Sequence, residues 1–238
     1  MKSQKHTAIV AAAGNGSRMH TDIPKQYLEL AGKPVLYYSL SALEQSFIDE
    51  IILVTGPGDE DYCRREIIDR FCLKKVTKII PGGTERYLSV YQGILAAEDA
   101  EYLYIQDGAR PLLTGRILED AKDCVIRCKA CAAGMPVKDT IKIADENGFA
   151  VHTPDRAFVW QIQTPQVFSA QLIRSAYEIL IQRLEQGEKL HITDDAMVVE
   201  TMLQHPVKLF AASYENIKIT TPEDLRIAEE YLTASGQR

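Results

Sequence analysis

The stretch Thr7-Ala8-Ile9-Val10-Ala11-Ala12-Ala13-Gly14-Asn15-Gly16-Ser17-Arg18-Met19 carries the strongest indication of the fold class of this chain. Thr7–Ala13 is an apolar run that predicts a buried strand, and Gly14 and Gly16 predict a tight turn directly after it. A glycine-bearing turn after the first strand of an α/β sheet is a common phosphate-binding place, because glycine lets backbone amides approach an anion closely. The opening of the chain therefore predicts an α/β fold with an anion site at its first turn.

The residues around this turn separate it from two familiar nucleotide-binding motifs. Met19 stands at the third glycine position of the dinucleotide fingerprint, and no Gly-Lys-Ser/Thr of a P-loop follows. Arg18 and Lys25 instead place two cations beside the turn, a combination that suits a polyphosphate. A tight turn with solvated cations is the structural alternative.

Apolar runs and amphipathic stretches alternate along the rest of the chain. Besides Thr7–Ala13, the predicted strands are Glu50–Thr55, Val76–Ile80, Glu101–Gln106, Cys131–Pro136 and Val207–Ala211. The predicted helices are Val35–Ser46, Asp59–Phe71, Arg86–Glu98, Thr114–Arg127, Ala170–Gln186, Asp194–Gln204 and Pro222–Thr233. This alternation predicts βαβ units and a Rossmann-like, mostly parallel sheet with helices on both faces.

Two segments need a separate interpretation. Val137–Ala144 and Phe149–Thr153 read as strands joined by a turn at Asp145–Gly148, so we expect a hairpin that stands outside the sheet. Thr193 precedes Asp194 and Asp195 in the pattern of a helix cap with acids in the first turn. We interpret those acids as structural.

Composition limits what the chain can do. Its 238 residues are 46% apolar and 25% charged, which is typical of a globular protein with a large core. The net charge of −6 disfavours a protein that coats nucleic acid or an anionic membrane, because both tasks need a basic face. At roughly 150 residues per domain, the length indicates a single large domain that spans residues 1–238.

The N-terminus and the cysteines indicate a cytoplasmic protein. The apolar run Ala8–Ala13 is too short to span a membrane and is followed by no signal-cleavage region. Five cysteines are an odd and sparse set, which fits reduced thiols better than a disulfide framework. Cys128 and Cys131 form a Cys-x-x-Cys spacing, but without a second ligand pair nearby we interpret them as packing residues.

Two further turns carry candidate site residues. Pro81-Gly82-Gly83-Thr84-Glu85-Arg86 with Ser89 lies after the third strand, although a plain helix start explains it equally well. Gln106-Asp107-Gly108-Ala109-Arg110-Pro111 places an acid at the carboxyl end of a strand, on the edge where open α/β sheets bind ligands. Asp107 could hold Mg²⁺ together with water and phosphate oxygens, or could simply form a turn.

In this order, these motifs resemble the 2-C-methyl-D-erythritol 4-phosphate cytidylyltransferases, a family with the nucleotide-diphospho-sugar transferase type of nucleotidyltransferase fold. The resemblance covers nearly the whole chain and also rests on five later motifs. They are Asp139-Thr140-Ile141-Lys142, Arg156, Gln163-Thr164-Pro165-Gln166, Thr193-Asp194-Asp195-Ala196 and Asn216-Ile217-Lys218.

The resemblance implies transfer of CMP from CTP to 2-C-methyl-D-erythritol 4-phosphate in the non-mevalonate route to isoprenoids, with Mg²⁺ or another divalent cation as cofactor. It implies a homodimer in which an arm at about residues 137–160 reaches the partner. The implied catalytic residues are Arg18, Lys25, Arg156 and Lys218. Implied nucleotide contacts are Ala12, Ala13, Gly14, Gly16, Arg18, Lys25, Gly83 and Ser89. Implied substrate contacts are Asp107, Arg110, Thr140, Arg156, Thr164 and Lys218, with Asp107 also as the metal ligand.

Three positions depart from the family pattern, and other functions stay open. Gln106 stands where the family usually has His, Leu88 where it usually has Asp, and Thr84 where it commonly has an acid. A ribitol 5-phosphate cytidylyltransferase is the nearest alternative, and a non-catalytic sugar-nucleotide-binding module is another. An NAD-dependent oxidoreductase is disfavoured by Met19 and by the lack of a ribose-binding acid after the second strand.

Overall fold

A seven-stranded sheet forms the centre of the chain in this computed structural model, which describes residues 4–14, 19 and 23–234. Its strands are β1 (His6–Ala12), β4 (Glu50–Thr55), β5 (Val76–Pro81), β6 (Tyr102–Asp107), β7 (Ala130–Pro136), β10 (Trp160–Ser169) and β11 (Lys208–Ala211). Two short hairpins complete the numbering: β2 (Glu29–Leu30) with β3 (Lys33–Pro34), and β8 (Ile143–Ala144) with β9 (Ala150–His152). The strand order is β11-β7-β10-β6-β1-β4-β5, and β10 alone among these seven runs antiparallel to its neighbours.

Helices cover both faces of this sheet. They are α1 (Val35–Glu44), α2 (Glu60–Tyr62, continued by a π-helix over Cys63–Asp69), α3 (Arg86–Ala96), α4 (Gly115–Cys128), α5 (Ala170–Glu185), α6 (Asp195–Leu203) and α7 (Pro222–Ala234). Helices α1 and α4 pack on one face, and α3, α5 and α6 pack on the other. The predicted mostly parallel α/β sheet is confirmed.

Strand β1 shows why the sheet needs cover on both sides. Side chains alternate across a strand, so Ala8 and Val10 join the core with Leu36 of α1, whereas Ile9 joins the core with Val90 of α3. All of these side chains are buried. A parallel strand buried on both faces reads as a continuous apolar run, which is the pattern that predicted β1.

Strand β10 is the main element that the sequence prediction missed. It lies between β6 and β7 in the sheet, and its register shifts between Ile162 and Gln166. The polar residues Gln163, Thr164 and Gln166 hide the apolar pattern, although all three are buried. Their polar atoms are satisfied by other side chains and by backbone groups, so this strand interior needs no apolar sequence.

The predicted hairpin between β7 and β10 exists, but its first strand is shorter than expected. Strands β8 and β9 pair outside the main sheet, with the predicted turn closed by the Asp145 N–H, which donates to the Phe149 carbonyl at 2.9 Å. The expected strand over 137–142 is wrong, because that backbone runs outside any strand pairing. No described helix combines the length and the apolar character needed to cross a bilayer.

The connection pattern locates the edge where a ligand can bind. Strand β1 lies in the sheet between β4, which follows it in sequence, and β6, which is reached only after the chain has built β5. The strand order therefore reverses between β1 and β6, and in open α/β sheets ligands bind at the carboxyl ends of the strands beside such a reversal. Asp107 is the last residue of β6.

The packing of α3 on β1 gives a test of the core. A Cβ at Gly93 would overlap the Ile9 side chain and come within 3.3 Å of Val54 Cγ2. We expect Gly93→Ala to lower the free energy of unfolding by about 1–3 kcal/mol, because extra volume in a close-packed interior strains its neighbours. Urea denaturation at neutral pH measures this change.

Gly115→Ala is the matched control. Gly115 begins α4, and a Cβ there would meet no atom within 4 Å. We expect this variant to be as stable as the wild type or slightly more stable, because alanine is the better helix former. Equal unfolding midpoints for the two variants would contradict the steric account of Gly93.

Candidate active site

Asp107 lies among three cations at the carboxyl edge of the sheet. Its Oδ1 accepts a hydrogen bond from Nε of Arg86 at 3.1 Å, and its Oδ2 is 2.7 Å from Nζ of Lys218 and 3.7 Å from Nε of Arg110. The Asp107 side chain is 9% exposed, so these cations surround a carboxylate that is almost out of water. A buried charge is stable only with such partners.

The charge of Asp107 follows from these neighbours. Burial alone would raise the pKa of Asp107, but the nearby charges of Arg86, Lys218 and Arg110 outweigh burial and hold that pKa well below its usual range. Asp107 is therefore ionised at neutral pH. Because its pKa is lower in the folded protein than in the unfolded chain, its contribution to stability is present above the ordinary carboxyl pKa. That contribution is lost as the pH falls through the lowered value.

Lys218 is positioned by a segment that is tied to the sheet. The Ile219 N–H donates to the Ala109 carbonyl at 2.8 Å, and Asn216 Nδ2 donates to Gln163 Oε1 at 3.0 Å and to the Thr164 carbonyl at 2.9 Å. Ile219 is fully buried in a cluster with α7 residues. These contacts fix the backbone on both sides of Lys218, so its ammonium group is held beside Asp107.

Arg86 joins Asp107 to a second buried carboxylate. Its Nη2 donates to Asp195 Oδ2 at 2.8 Å, while Asp195 Oδ1 accepts a hydrogen bond from the Tyr177 hydroxyl at 2.6 Å. Burial would lower the pKa of Arg86, but Asp195 and Asp107 raise it well above its usual value. Arg86 is therefore a permanent cation bound by carboxylates on two sides.

Two adjoining cavities open at this edge and share Arg86, Asp107 and Lys218 as lining residues. The first has a volume of about 210 Å³. Its other sides are lined by the glycine-bearing turn after β1, called the first turn, and by the turn after β5, called the second turn. The second has a volume of about 330 Å³ and is lined by residues of β10 and by the start of α6. The charged cluster thus stands where a ligand in one cavity would meet a ligand in the other.

The first cavity brings together most of the predicted nucleotide-binding residues. Its lining includes Ala11, Ala12, Ala13, Gly14, Lys25, Gln26, Gly83, Thr84 and Ser89. The two turns approach closely at Gly82, where a Cβ would lie 2.5 Å from Ala13 Cβ. The Gly83 N–H donates to Ser89 Oγ at 3.1 Å, which holds the second turn against α3. Gly16 and Arg18 lie outside the described residues.

The predicted substrate residues divide into two groups. Arg110 and Thr164 line the second cavity with Asp107 and Lys218, and the Asp107 N–H donates to Thr164 Oγ1 at 3.0 Å. Thr140 and Arg156 are exposed on the segment between β7 and β10 and line neither of these cavities. Within one chain, therefore, these two residues are not brought to the Asp107 cluster.

The sequence interpretation did not connect Arg86 with Asp195 and Tyr177, although it named Arg86 within the turn after β5. Asp195 is the predicted first-turn acid of α6, but it is also fully buried and paired with Arg86. The prediction of Thr193 as the helix cap is wrong. The helix cap is Asp194, whose Oδ1 accepts from the Met197 N–H at 2.9 Å. The available signal for Arg86 was its position at a helix start after the carboxyl end of a strand.

A doubly covered, mostly parallel sheet with glycine turns and a cationic cluster at its carboxyl edge is typical of the α/β proteins that bind nucleotide phosphates. The family model of 2-C-methyl-D-erythritol 4-phosphate cytidylyltransferase matches residues 6–234. The enzyme of that name from Lachnospira eligens is 52% identical over 229 residues, covering 95% of this chain and 99% of the relative. Its counterpart from Caldanaerobacter subterraneus is 48% identical over 228 residues, covering 95% and 98%.

A solved structure agrees with these relatives. The 4-diphosphocytidyl-2C-methyl-D-erythritol synthase of Anaerococcus prevotii is 33% identical, with a TM-score of 0.83 over 97% of this chain and 96% of that one. This chain belongs to the 2-C-methyl-D-erythritol 4-phosphate cytidylyltransferase family. It is an enzyme, and the predicted family and fold are confirmed in preference to the ribitol phosphate, non-catalytic and oxidoreductase alternatives.

The three departures from the family pattern occupy different environments. Gln106 is fully buried, and its Nε2 donates to the Asp107 carbonyl at 3.2 Å, so it supports the backbone of the site from below. Thr84 is exposed on the cavity lining. Leu88 lies under the second turn, where a Cβ on Gly83 would come within 2.6 Å of Leu88 Cβ.

The ion cluster leads to a stability prediction for Asp107→Asn. Removing the carboxylate leaves three cations close together, so we expect the free energy of unfolding at pH 7 to fall by roughly 1–4 kcal/mol. Saturating inorganic pyrophosphate should raise the melting temperature of the variant more than that of the wild type, because an anion can replace the lost charge. Differential scanning fluorimetry with and without pyrophosphate measures both effects.

Asp120→Asn supplies the comparison. Asp120 pairs with Arg116 at 3.8 Å, and both side chains are exposed, so its removal should change stability little. If Asp107→Asn lowers the free energy of unfolding no more than Asp120→Asn does, the cluster does not depend on the Asp107 carboxylate.

Proposed function

We propose that this chain transfers CMP from CTP to 2-C-methyl-D-erythritol 4-phosphate, releasing pyrophosphate and 4-diphosphocytidyl-2-C-methyl-D-erythritol. The observation that carries the proposal is the cluster of Arg86, Asp107 and Lys218 at the boundary between the two cavities. A nucleotide in the first cavity and a sugar phosphate in the second would meet there. The curated relatives act on the substrate that their names state.

Catalysis in this scheme needs alignment and charge stabilisation rather than a strong base. The attacking group is a phosphate oxygen that is already anionic at neutral pH, and charge develops on phosphate oxygens in the transition state. Lys25 and Arg18 would stabilise the triphosphate from the first turn. Lys218 would stabilise the α-phosphoryl group of the transferred CMP, because Lys218 lines both cavities.

The remaining contacts divide between nucleotide and sugar phosphate. Ala12, Ala13, Gly14, Gly16, Gly83 and Ser89 would surround the nucleoside, largely through backbone groups. Arg110 and Thr164 would position the acceptor in the second cavity, which they line. We propose that the whole chain acts as one nucleotidyltransferase domain, because strands from residue 6 to residue 211 build one sheet.

A divalent cation would enter this site together with the phosphates, because both carboxylate oxygens of Asp107 already face cationic side chains. Mg²⁺ is commonly held by one or two carboxylates together with phosphate oxygens and waters. Within the described ranges, no group of three or more His, Cys, Asp or Glu side chains comes together for a metal ion, but Asp107 presents a carboxylate to both cavities. We propose that Asp107 would hold Mg²⁺, which would neutralise phosphate charge. Lys218 already contacts Oδ2 and would compete for it.

The segment between β7 and β10 supports a homodimer. Its apolar side chains are unusually exposed: Phe158 is 84%, Phe149 73% and Val151 64% accessible. Large exposed apolar groups that cluster on one extension are typical of a protein interface. We propose that this arm crosses to a second copy of the chain and adds Arg156 and Thr140 to the partner's second cavity. That arrangement accounts for their distance from the cluster within one chain.

We place the enzyme in the cytoplasm. All five cysteines are present as free thiols, which is the usual state in a reducing compartment. Cys131 is fully buried, and its thiol donates to the Ala121 carbonyl at 3.5 Å, as expected for a packing residue.

Pyrophosphate release tests the reaction. We expect release with Mg²⁺, CTP and methylerythritol 4-phosphate, and much less with ribitol 5-phosphate or with no acceptor. Lys218→Ala and Lys25→Ala should each lower kcat/KM by about 100-fold or more, because each removes a charge from the transition state. Lys189→Ala is the control, since the Lys189 side chain is exposed and itself lines neither cavity. No release with any acceptor, despite CTP binding, would reject the proposal.

Mixed dimers test the arm. We expect Arg156→Ala and Lys25→Ala subunits, each inactive alone, to regain activity when they are refolded together. In a mixed dimer, one of the two sites would combine Lys25 of one subunit with Arg156 of the other, and the second site would lack both. Random mixing should therefore restore about a quarter of the wild-type rate per subunit. If the mixture stays inactive while size-exclusion chromatography shows mixed dimers, the site is not shared between subunits.

A further inference from the structure

A continuous series of side chains runs from the helix core to the charged cluster. The Tyr177 hydroxyl donates to Asp195 Oδ1 at 2.6 Å, Arg86 Nη2 donates to Asp195 Oδ2 at 2.8 Å, and Arg86 Nε donates to Asp107 Oδ1 at 3.1 Å. Lys218 ends the series at 2.7 Å from Asp107 Oδ2. Each carboxylate uses one oxygen for the preceding group and the other for the next.

The inner end of this series is inaccessible to substrate. Tyr177 and Asp195 are both fully buried, and Tyr177 sits in the apolar core formed with α3 and α6 residues. Neither residue lines the first or the second cavity. Their side chains reach the charged cluster through Arg86.

The carboxylate of Asp195 leaves the guanidinium little freedom. Arg86 presents a planar fork of fixed geometry, and binding carboxylates on two of its edges determines both its position and its rotation. A buried carboxylate that lost this partner would be left without charge compensation, so the pair is held together strongly. The orientation of Arg86 in turn determines which way the Asp107 carboxylate faces, and hence where it holds Lys218.

We propose that Tyr177 and Asp195 are positioning residues that act through Arg86 and Asp107 to hold Lys218 at the transferred phosphoryl group. This inference rests on the proposed function, which places Lys218 at the reacting phosphate. Binding of the two substrates uses the cavity walls, which Tyr177 does not touch. Removal of the Tyr177 hydroxyl group should therefore affect the chemical step more than substrate binding.

Tyr177→Phe tests the proposal because it removes only a hydroxyl group. We expect kcat to fall about tenfold, with KM for each substrate changed by less than about twofold, since misplacement of a catalytic group lowers the rate of the chemical step. In a Lys218→Ala background, the same substitution should change kcat by less than about twofold. A double-mutant cycle with this outcome shows that Tyr177 acts through Lys218.

Two further variants keep the test decisive. Tyr91→Phe is the matched control, because the Tyr91 ring stacks on Tyr177 with centroids 6.1 Å apart but donates no hydrogen bond to Asp195. It should keep the wild-type kcat. Arg86→Lys keeps the charge but loses the fork, so it should also lower kcat, with KM affected as well because Arg86 lines both cavities. Its kcat loss should likewise shrink in the Lys218→Ala background, which decides the question if Tyr177→Phe folds poorly.

Three results would overturn the proposal. They are an unchanged kcat in correctly folded Tyr177→Phe, an equal loss in Tyr91→Phe, or a full further loss in the Lys218→Ala background. A wild type that releases no pyrophosphate would instead reject the proposed function and this inference with it. A melting curve for each variant, with CTP binding by calorimetry, separates these results from unfolding.

Discussion

The structure depends most on one electrostatic constraint, a carboxylate at the end of a central strand that must be neutralised out of water. Asp107 cannot stay ionised at 9% side-chain exposure without its cations, and those cations come from three parts of the chain. Arg86 is delivered by α3, Arg110 by the loop after β6, and Lys218 by the segment before α7. Without the carboxylate, their mutual repulsion would oppose this arrangement. The fold thus gathers positive charges from distant parts of the chain around one acid.

This arrangement also explains why an acidic protein can bind two anionic substrates. The chain carries a net charge of −6, but its cations near the sheet edge are concentrated on one small surface. Fixed charges in a partly desolvated cleft act on a ligand more strongly than charges spread over an exposed surface, because water screens them less. Local placement, and not the overall charge, decides what this edge attracts.

The parts of the fold that follow a repeating pattern could be predicted from the sequence, and those that depend on distant partners could not. Continuous apolar runs marked β1, β4 and β6, because parallel strands buried on both faces need them. Strand β10 escaped notice because Gln163, Thr164 and Gln166 find their partners elsewhere in the chain. Asp195 looked like an ordinary acid of a first helical turn, since its pairing with Arg86 spans 109 residues and leaves no local signal. Asp107 and Lys25 were predicted as site residues because each lies beside an apolar run or a recognisable turn, whereas Lys218 was predicted only from the resemblance to the family.

The placement of β10 has a consequence for how the arm can vary. The arm leaves the sheet at the end of β7 and returns at the start of β10, and these neighbouring strands are paired at Pro136 and Trp160. Strand pairing therefore holds the two ends of the arm together, whatever residues lie between them. Extra or missing residues beyond that pair cost only a little loop-closure entropy and leave the register of the sheet unchanged. The exposed surface of the arm can thus diverge in length and sequence while the carboxyl edge of the sheet keeps its geometry.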